Sequence, residues 1–130
     1  MGDFKKLTAF KKAYELSMGI FEISKKFPKE ETYSLTDQIR RSSRSISVNI
    51  AEGYRKRQYR AHFIAKMSDA DMENSETKVW LDFAFDCKYI TKEIKDDFQN
   101  KSDEIGRLLY HMMQHPEKYQ TIEMRSQKLC

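Results

Sequence analysis

A chain of 130 residues with 24 Lys and Arg, 20 Asp and Glu and 39% hydrophobic residues has material for one core in one domain. Four glycines and two prolines are too few for a many-turned sheet, and favour long helices with short links. No apolar run approaches the roughly 20 residues of a membrane span, and MGDFKKLTAFKK holds no apolar signal core, so a cytoplasmic, membrane-free protein is expected.

The first helix is expected to begin at Thr8, a suitable N-cap, and to run to Phe27, where Pro28 ends it. Phe10, Ala13, Tyr14, Ser17, Ile20, Phe21, Ser24 and Phe27 recur at the three- and four-residue spacing of one helical face, widened by Leu16 and Ile23. PKEETYS makes a turn, and Ser34 opens a second helix with Asp37 placed like a capping-box acid. Its inner stripe is Leu35, Ile39, Ser42, Ile46, Asn49, Ile50 and Gly53. The third helix is expected from Arg60 to Lys88, with Phe63, Met67, Ala70, Asn74, Thr77, Leu81 and Ala84 inward. Thr91 caps a fourth, whose Ile94, Phe98, Ile105, Leu108, Leu109, Met112 and Met113 keep the pattern to Pro116.

Residues 1–115 therefore read as an all-α, antiparallel up-down-up-down four-helix bundle. Residues 116–130 carry no such pattern and are expected to form a disordered tail.

VWLDFAFDC is apolar nearly all round the third helix, and a helix apolar on every side must be covered on every side. Trp80, Phe83 and Phe85 are the expected contacts with another copy of the chain; cover by the C-terminal tail is the alternative. Cys87, in this stretch, is expected to be a small core residue, and Cys130 a terminal thiol open to cross-linking. Neither is expected in a disulfide.

SISVNIAEGYRKR mixes apolar, small and polar residues. Asn49 on the inner stripe needs hydrogen-bond partners, and with Glu52 it is expected to form a polar core that specifies packing; a ligand site is the alternative. Arg40, Arg41, Arg44, Arg55, Lys56, Arg57 and Arg60 face Glu52 alone between residues 40 and 60. Arg40, Arg41 and Arg44 are expected to pair with Asp69, Asp71, Glu73 and Glu76 across a helix hairpin. YRKRQYR has no such partner: Tyr54, Arg55, Lys56, Arg57, Tyr59 and Arg60 combine cations for phosphates with rings for bases, the chemistry of an RNA contact. A merely solvated turn is the other reading.

Catalytic patterns are missing: no G-x-S-x-G, P-loop or G-x-G-x-x-G occurs. The carboxylate stripe of Asp69, Glu73 and Glu76 has no E-x-x-H beside it, His111 and His115 lack a third ligand, and His62 reads as exposed. Neither an enzyme, a cofactor, a metal nor a small-molecule substrate is expected.

FPKEETYSLTDQIRRSSRSISVNIAEGYRKR resembles the four-helix-bundle proteins encoded in intervening sequences of bacterial 23S rRNA genes. That family carries F-P-x-x-E-x-Y-x-L-x-x-Q-I-R-R-S-x-x-S-I-x-x-N-I-A-E-G, which falls here on Phe27 to Gly53, and ETKVWLDFAFDCKYI is similar to a second family block. The chain departs from it at MSDAD, where many members have Gly-Ser, and at Lys88, where they have Gly. The resemblance implies a left-handed bundle, a homopentamer and no established catalytic residues. A more distant relative, the accessory protein of diversity-generating retroelements, binds a reverse transcriptase and RNA, but a shared fold alone says little about function. The expected function is a self-associating scaffold that binds RNA or a nucleoprotein through the basic turn; the alternative is an adaptor that binds only proteins through its outer apolar side chains.

Overall fold

The computed structural model describes residues 3–129, with side chains through residue 126. Met1, Gly2 and Cys130 fall outside the described residues, and with Cys130 the expectation of a terminal thiol. Every long element is helical: α1 (Thr8–Ser24), α2 (Leu35–Arg55), α3 (Arg60–Asp86), α4 (Lys92–Gln114) and α5 (Ile122–Leu129), with 3-10 turns at Phe4–Lys6, Lys29–Glu31 and Pro116–Tyr119. No helix among the described residues is long and apolar enough to cross a membrane.

Local chemistry sets the ends of these helices. α1 begins one residue earlier than a Thr8 cap implies, with Leu7 at the N-cap, and stops at Ser24. Phe27 lies outside the helix because the residue before a proline is pushed out of helical geometry. At α2 the cap is borrowed: Ser34 makes no cap bond with its own side chain. Instead Glu31 Oε1 accepts from Ser34 Oγ at 2.6 Å and from the Leu35 amide at 3.3 Å. These bonds, with one from Tyr89, hold the Glu31 carboxyl below its ordinary range. Thr91 caps α4 as expected, accepting from the Ile94 amide at 3.2 Å.

α3 ends in a Schellman motif: the Tyr89 amide reaches Ala84 O at 2.9 Å and the Lys88 amide reaches Phe85 O at 2.8 Å. Lys88 takes the left-handed conformation, φ 66°, that the motif requires. A glycine would hold it without strain, so the family's Gly at this position has a backbone reason.

The four long helices enclose a core that includes Leu16, Ile20, Ile39, Ile46, Ile50, Phe63, Met67, Leu81, Ile105 and Leu109. All seven inward positions expected of α3 are buried. α2 and α3 approach closely at Gly53, where an added Cβ would lie 2.8 Å from Lys66 Cβ. The tail is helical rather than patternless: Tyr119 stacks on Phe63 with centroids 5.6 Å apart, and Gln120 is buried.

Candidate functional site

The basic turn joins α2 to α3 over residues 56–59. Its backbone closes through Lys56 N–H to Gly53 O and Tyr59 N–H to Lys56 O, at 3.0 and 2.9 Å. Arg55, Lys56 and Arg60 are exposed, and Tyr59 is 53% exposed with its ring edge-on to exposed His62. None of these three cations has a carboxylate within ion-pair distance among the described residues. Glu117 senses the charge of Arg60 only at longer range.

Arg57 departs from the expectation of a solvent-facing cation, being only 3% exposed. Its guanidinium lies 4.0 Å from the Tyr54 ring centroid, and its Nη1 donates to Tyr54 O at 2.9 Å. From the tail, Gln120 Nε2 donates to Arg57 O at 2.9 Å. Arg57 therefore braces the turn from inside, with one face of half-buried Tyr54 taken up in the stack. No local pattern announces this, because Gln120 is distant in sequence and reaches the turn only in the fold.

The upper arginines also correct the sequence reading. Arg40 and Arg44 do not pair with the α3 acids but turn toward α1, where their guanidinium carbons lie 4.8 and 5.7 Å from the Phe21 centroid. Arg40 Nε also donates to Ser24 Oγ at 2.8 Å. Arg41 binds Asp37 on its own helix at 3.7 Å. The acids of α3 are left to repel one another: burial first, then Glu76 and Asp69, raises the Glu73 carboxyl above its ordinary range, with Arg41 opposing.

The expected polar core of Asn49 and Glu52 is not where the buried polar groups sit. Asn49 is half-buried and donates to Ser45 O of its own helix at 2.9 Å, while exposed Glu52 pairs with Lys66 at 3.2 Å. The buried polar pairs are Ser42 with Thr77, 2.8 Å apart, and Asn74 with Ser102. In the second, Asn74 Nδ2 donates to Ser102 O at 2.9 Å and Ser102 Oγ donates to Asn74 Oδ1 at 2.7 Å. Ser42, Asn74 and Thr77 were legible as inward; Ser102, between Phe98 and Ile105 on one face, was missed.

Of the aromatic candidates on α3, Trp80 and Phe83 share a face, with centroids 5.7 Å apart, and Phe83 is 52% exposed. Phe85 lies on another side, under Lys95 of α4 at 4.6 Å. A groove of about 380 Å³ runs between Trp80, Phe83, Tyr33, Leu35, Gln38 and Cys87. Cys87 is exposed there and is not a core residue. Trp80 Nε1 is buried and finds no acceptor among the described residues. His111 and His115 lie with centroids 4.7 Å apart and rings tilted by 45°, and His115 Nδ1 lies 3.5 Å from Glu117; among the described residues no cluster of His, Cys, Asp and Glu is arranged to hold a metal.

The model of the 23S rRNA-intervening sequence protein family matches residues 5–111. A solved structure from Bacteroides thetaiotaomicron VPI-5482, described as a protein of unknown function from the S23 ribosomal protein family, is 33% identical. It superposes with a TM-score of 0.73, over 82% of this chain and 95% of that one. No curated protein matches the sequence. With the family pattern spanning nearly all of α1 to α4 and a relative of the same shape, the chain belongs to the 23S rRNA-intervening sequence protein family.

Proposed function

We propose that the chain is a non-catalytic, self-associating helical scaffold that binds RNA through the α2–α3 turn. The observation that carries this reading is the group of exposed cations Arg55, Lys56 and Arg60, free of ion pairs among the described residues and beside the exposed ring of Tyr59. Three such cations fall within residues 55–60, whereas Lys12 is matched by Glu104 and Lys101 by Asp97, so the turn is a place where positive potential is left for an outside anion. The names of the family and of its solved relative, which refer to 23S rRNA and a ribosomal protein, add to the reading.

Self-association rests on Trp80. Phe83 beside it is 52% exposed above a groove of about 380 Å³, and a second copy seated on this face would cover both. In this reading the helices form a left-handed up-down-up-down bundle, and copies close into a pentameric ring in the cytoplasm. Each copy then presents its own basic turn, and weak contacts gain through avidity.

The test is fluorescence anisotropy of a labelled RNA at low salt, followed by a salt titration. Binding is expected to weaken with salt, and the variant R55Q/K56Q/R60Q to lose most of its affinity. No binding by the intact protein at low salt refutes the proposal. The groove beside Trp80 supports a second reading, a protein-binding adaptor; recovery of a protein partner after nuclease treatment, by wild type and not by Phe83→Ala, would favour it.

A further inference from the structure

We propose that the seam between α1 and α2 is a track for single-stranded nucleic acid, running from Arg40 down to the basic turn. The proposal rests on the RNA-binding reading above, and adds where the strand lies and that it is unpaired.

The track has two edges. On α1, Tyr14, Met18, Phe21 and Lys25 recur at the spacing of one helical stripe, and Tyr14 and Met18 are 54% and 47% exposed. On α2, Arg40, Arg44, Ser47, Ala51 and Arg55 form the matching stripe, about 22 Å long at the helical rise per residue. Phe21 joins the edges: Lys25 Nζ and the Arg40 guanidinium each lie 4.8 Å from its centroid, and the Arg44 guanidinium 5.7 Å. Stacking on the ring holds these cations in place without neutralising them.

Between Arg40 and the basic turn no acid shares the seam: Asp37 sits one turn before Arg40, at its upper end. Glu15 lines a hollow with Lys101 and Glu104 of α4, and Glu22 lines another with Ile94 of α4. Glu22 also reaches Lys25 at 3.2 Å, so Lys25 adds little net charge. On α2, Asp37 holds Arg41 and Glu52 holds Lys66 of α3. Arg40 and Arg44 have no carboxylate within ion-pair distance among the described residues. Arg55 continues their stripe, and Lys56 and Arg60 follow in the turn beyond it, so five cations stand without an ion pair among the described residues.

The rings decide what kind of strand fits. Tyr14 stands 6.0 Å from Phe10 and offers a half-exposed aromatic surface two helical turns along α1 from the Phe21 ring that carries the arginines, as Tyr59 does at the far end. A duplex keeps its base faces stacked internally, whereas a single strand can lay them on aromatic rings while its phosphates follow the arginines. Phosphate and ring contacts together favour an unpaired strand over a duplex.

The experiment measures anisotropy of a labelled oligoadenylate of about 12 nucleotides, and of an RNA hairpin of similar length, with the full chain. Arg44→Gln and Tyr14→Ala change exposed side chains, and circular dichroism melts confirm that each variant folds. Arg44→Gln is expected to weaken single-strand binding and to flatten the log–log salt dependence by about 0.7, the share of one phosphate. Tyr14→Ala is expected to weaken binding about fivefold or more with the salt dependence unchanged. Lys92→Gln, an exposed cation at the start of α4, serves as the control.

Wild-type binding that neither seam variant alters, while R55Q/K56Q/R60Q loses it, overturns the track and leaves the basic turn standing. Tighter binding of the hairpin than of the single strand overturns the track as well. No binding of either probe by wild type refutes both the track and the function it rests on.

Discussion

The Tyr89 hydroxyl donates to Glu31 Oε2 at 2.8 Å, tying the link after α3 to the turn before α2. The same carboxylate caps α2, so one side chain joins three segments. The bond to Glu31 pushes the Tyr89 phenol up to about 12, while bonds from Ser34 and Tyr89 hold Glu31 low.

These shifts set a pH window. Glu31, lowered in the folded state, stabilises fully above its ordinary value of 4.5, and that contribution disappears as pH falls through the folded value. Tyr89, raised, stabilises fully below its ordinary 10.0 and loses its contribution as pH climbs toward about 12. Urea midpoints measured across pH should therefore fall less steeply on the acid side in Glu31→Gln, and on the alkaline side in Tyr89→Phe, than in wild type.

Lys88 carries a positive φ that costs a residue with a Cβ roughly 1–2 kcal/mol. Glycine removes that cost and gives back part of it through the greater freedom of the unfolded chain. Lys88→Gly should raise stability by about 0.5–1 kcal/mol, read as a higher urea midpoint with an unchanged slope.

Gly53 lets α2 and α3 touch. Alanine there would drive its Cβ against Met67 and Lys66, and Lys66 Cβ cannot swing away because it is fixed to the α3 backbone. Gly53→Ala should destabilise by about 1–3 kcal/mol, the usual range for overpacking, despite alanine's better helix propensity. Thermal melting decides it, and an unchanged Tm would show that the helices separate freely.

The Ser42–Thr77 pair crosses the core, and Thr77 also donates to Glu73 O at 2.8 Å. Thr77→Val strands the Ser42 hydroxyl with a long 3.4 Å bond to Ile39 O, and should cost about 1–2 kcal/mol. Adding Ser42→Ala removes the stranded group, so the double variant should lose less than the sum of the singles.

The positions of the helices were the most readable part of the sequence, although Leu7 rather than Thr8 stands at the start of α1 and Glu31 rather than Ser34 caps α2. Pro28, Thr91 and the three- and four-residue spacing act within one turn of chain, and such local forces leave local marks. The burial of α2 was less readable. Ser43 and Ser47 are buried and Asn49 is only half-buried, because α2 is covered by α1 as well as α3 and its inner face is rotated accordingly. A stripe drawn through the largest apolar side chains cannot register a neighbour that packs on serines.

The charged residues were least readable. Whether an arginine meets a carboxylate, a ring or water depends on which helix lies beside it, and Arg40, Arg44 and Arg57 all chose rings. Cys87 was misread because an apolar stretch says nothing about which side of its helix has cover.

The tail offers a direct check on Arg57. Gln120 Nε2 bonds to Arg57 O at 2.9 Å and to Gln58 O at 3.4 Å, so Gln120→Ala strips both carbonyls of a side-chain donor. A loss of about 1–2 kcal/mol is expected, with faster hydrogen exchange at the turn and an unchanged rate in α1.

Trp80 is the single tryptophan of the chain, so intrinsic emission comes from one known place on α3. The indole lies 5.7 Å from the half-covered Phe83 ring, so its emission responds to a change in what covers that ring. A wavelength maximum that moves on dilution would thus report the proposed meeting of copies with no label attached, and one that stays fixed would count against it.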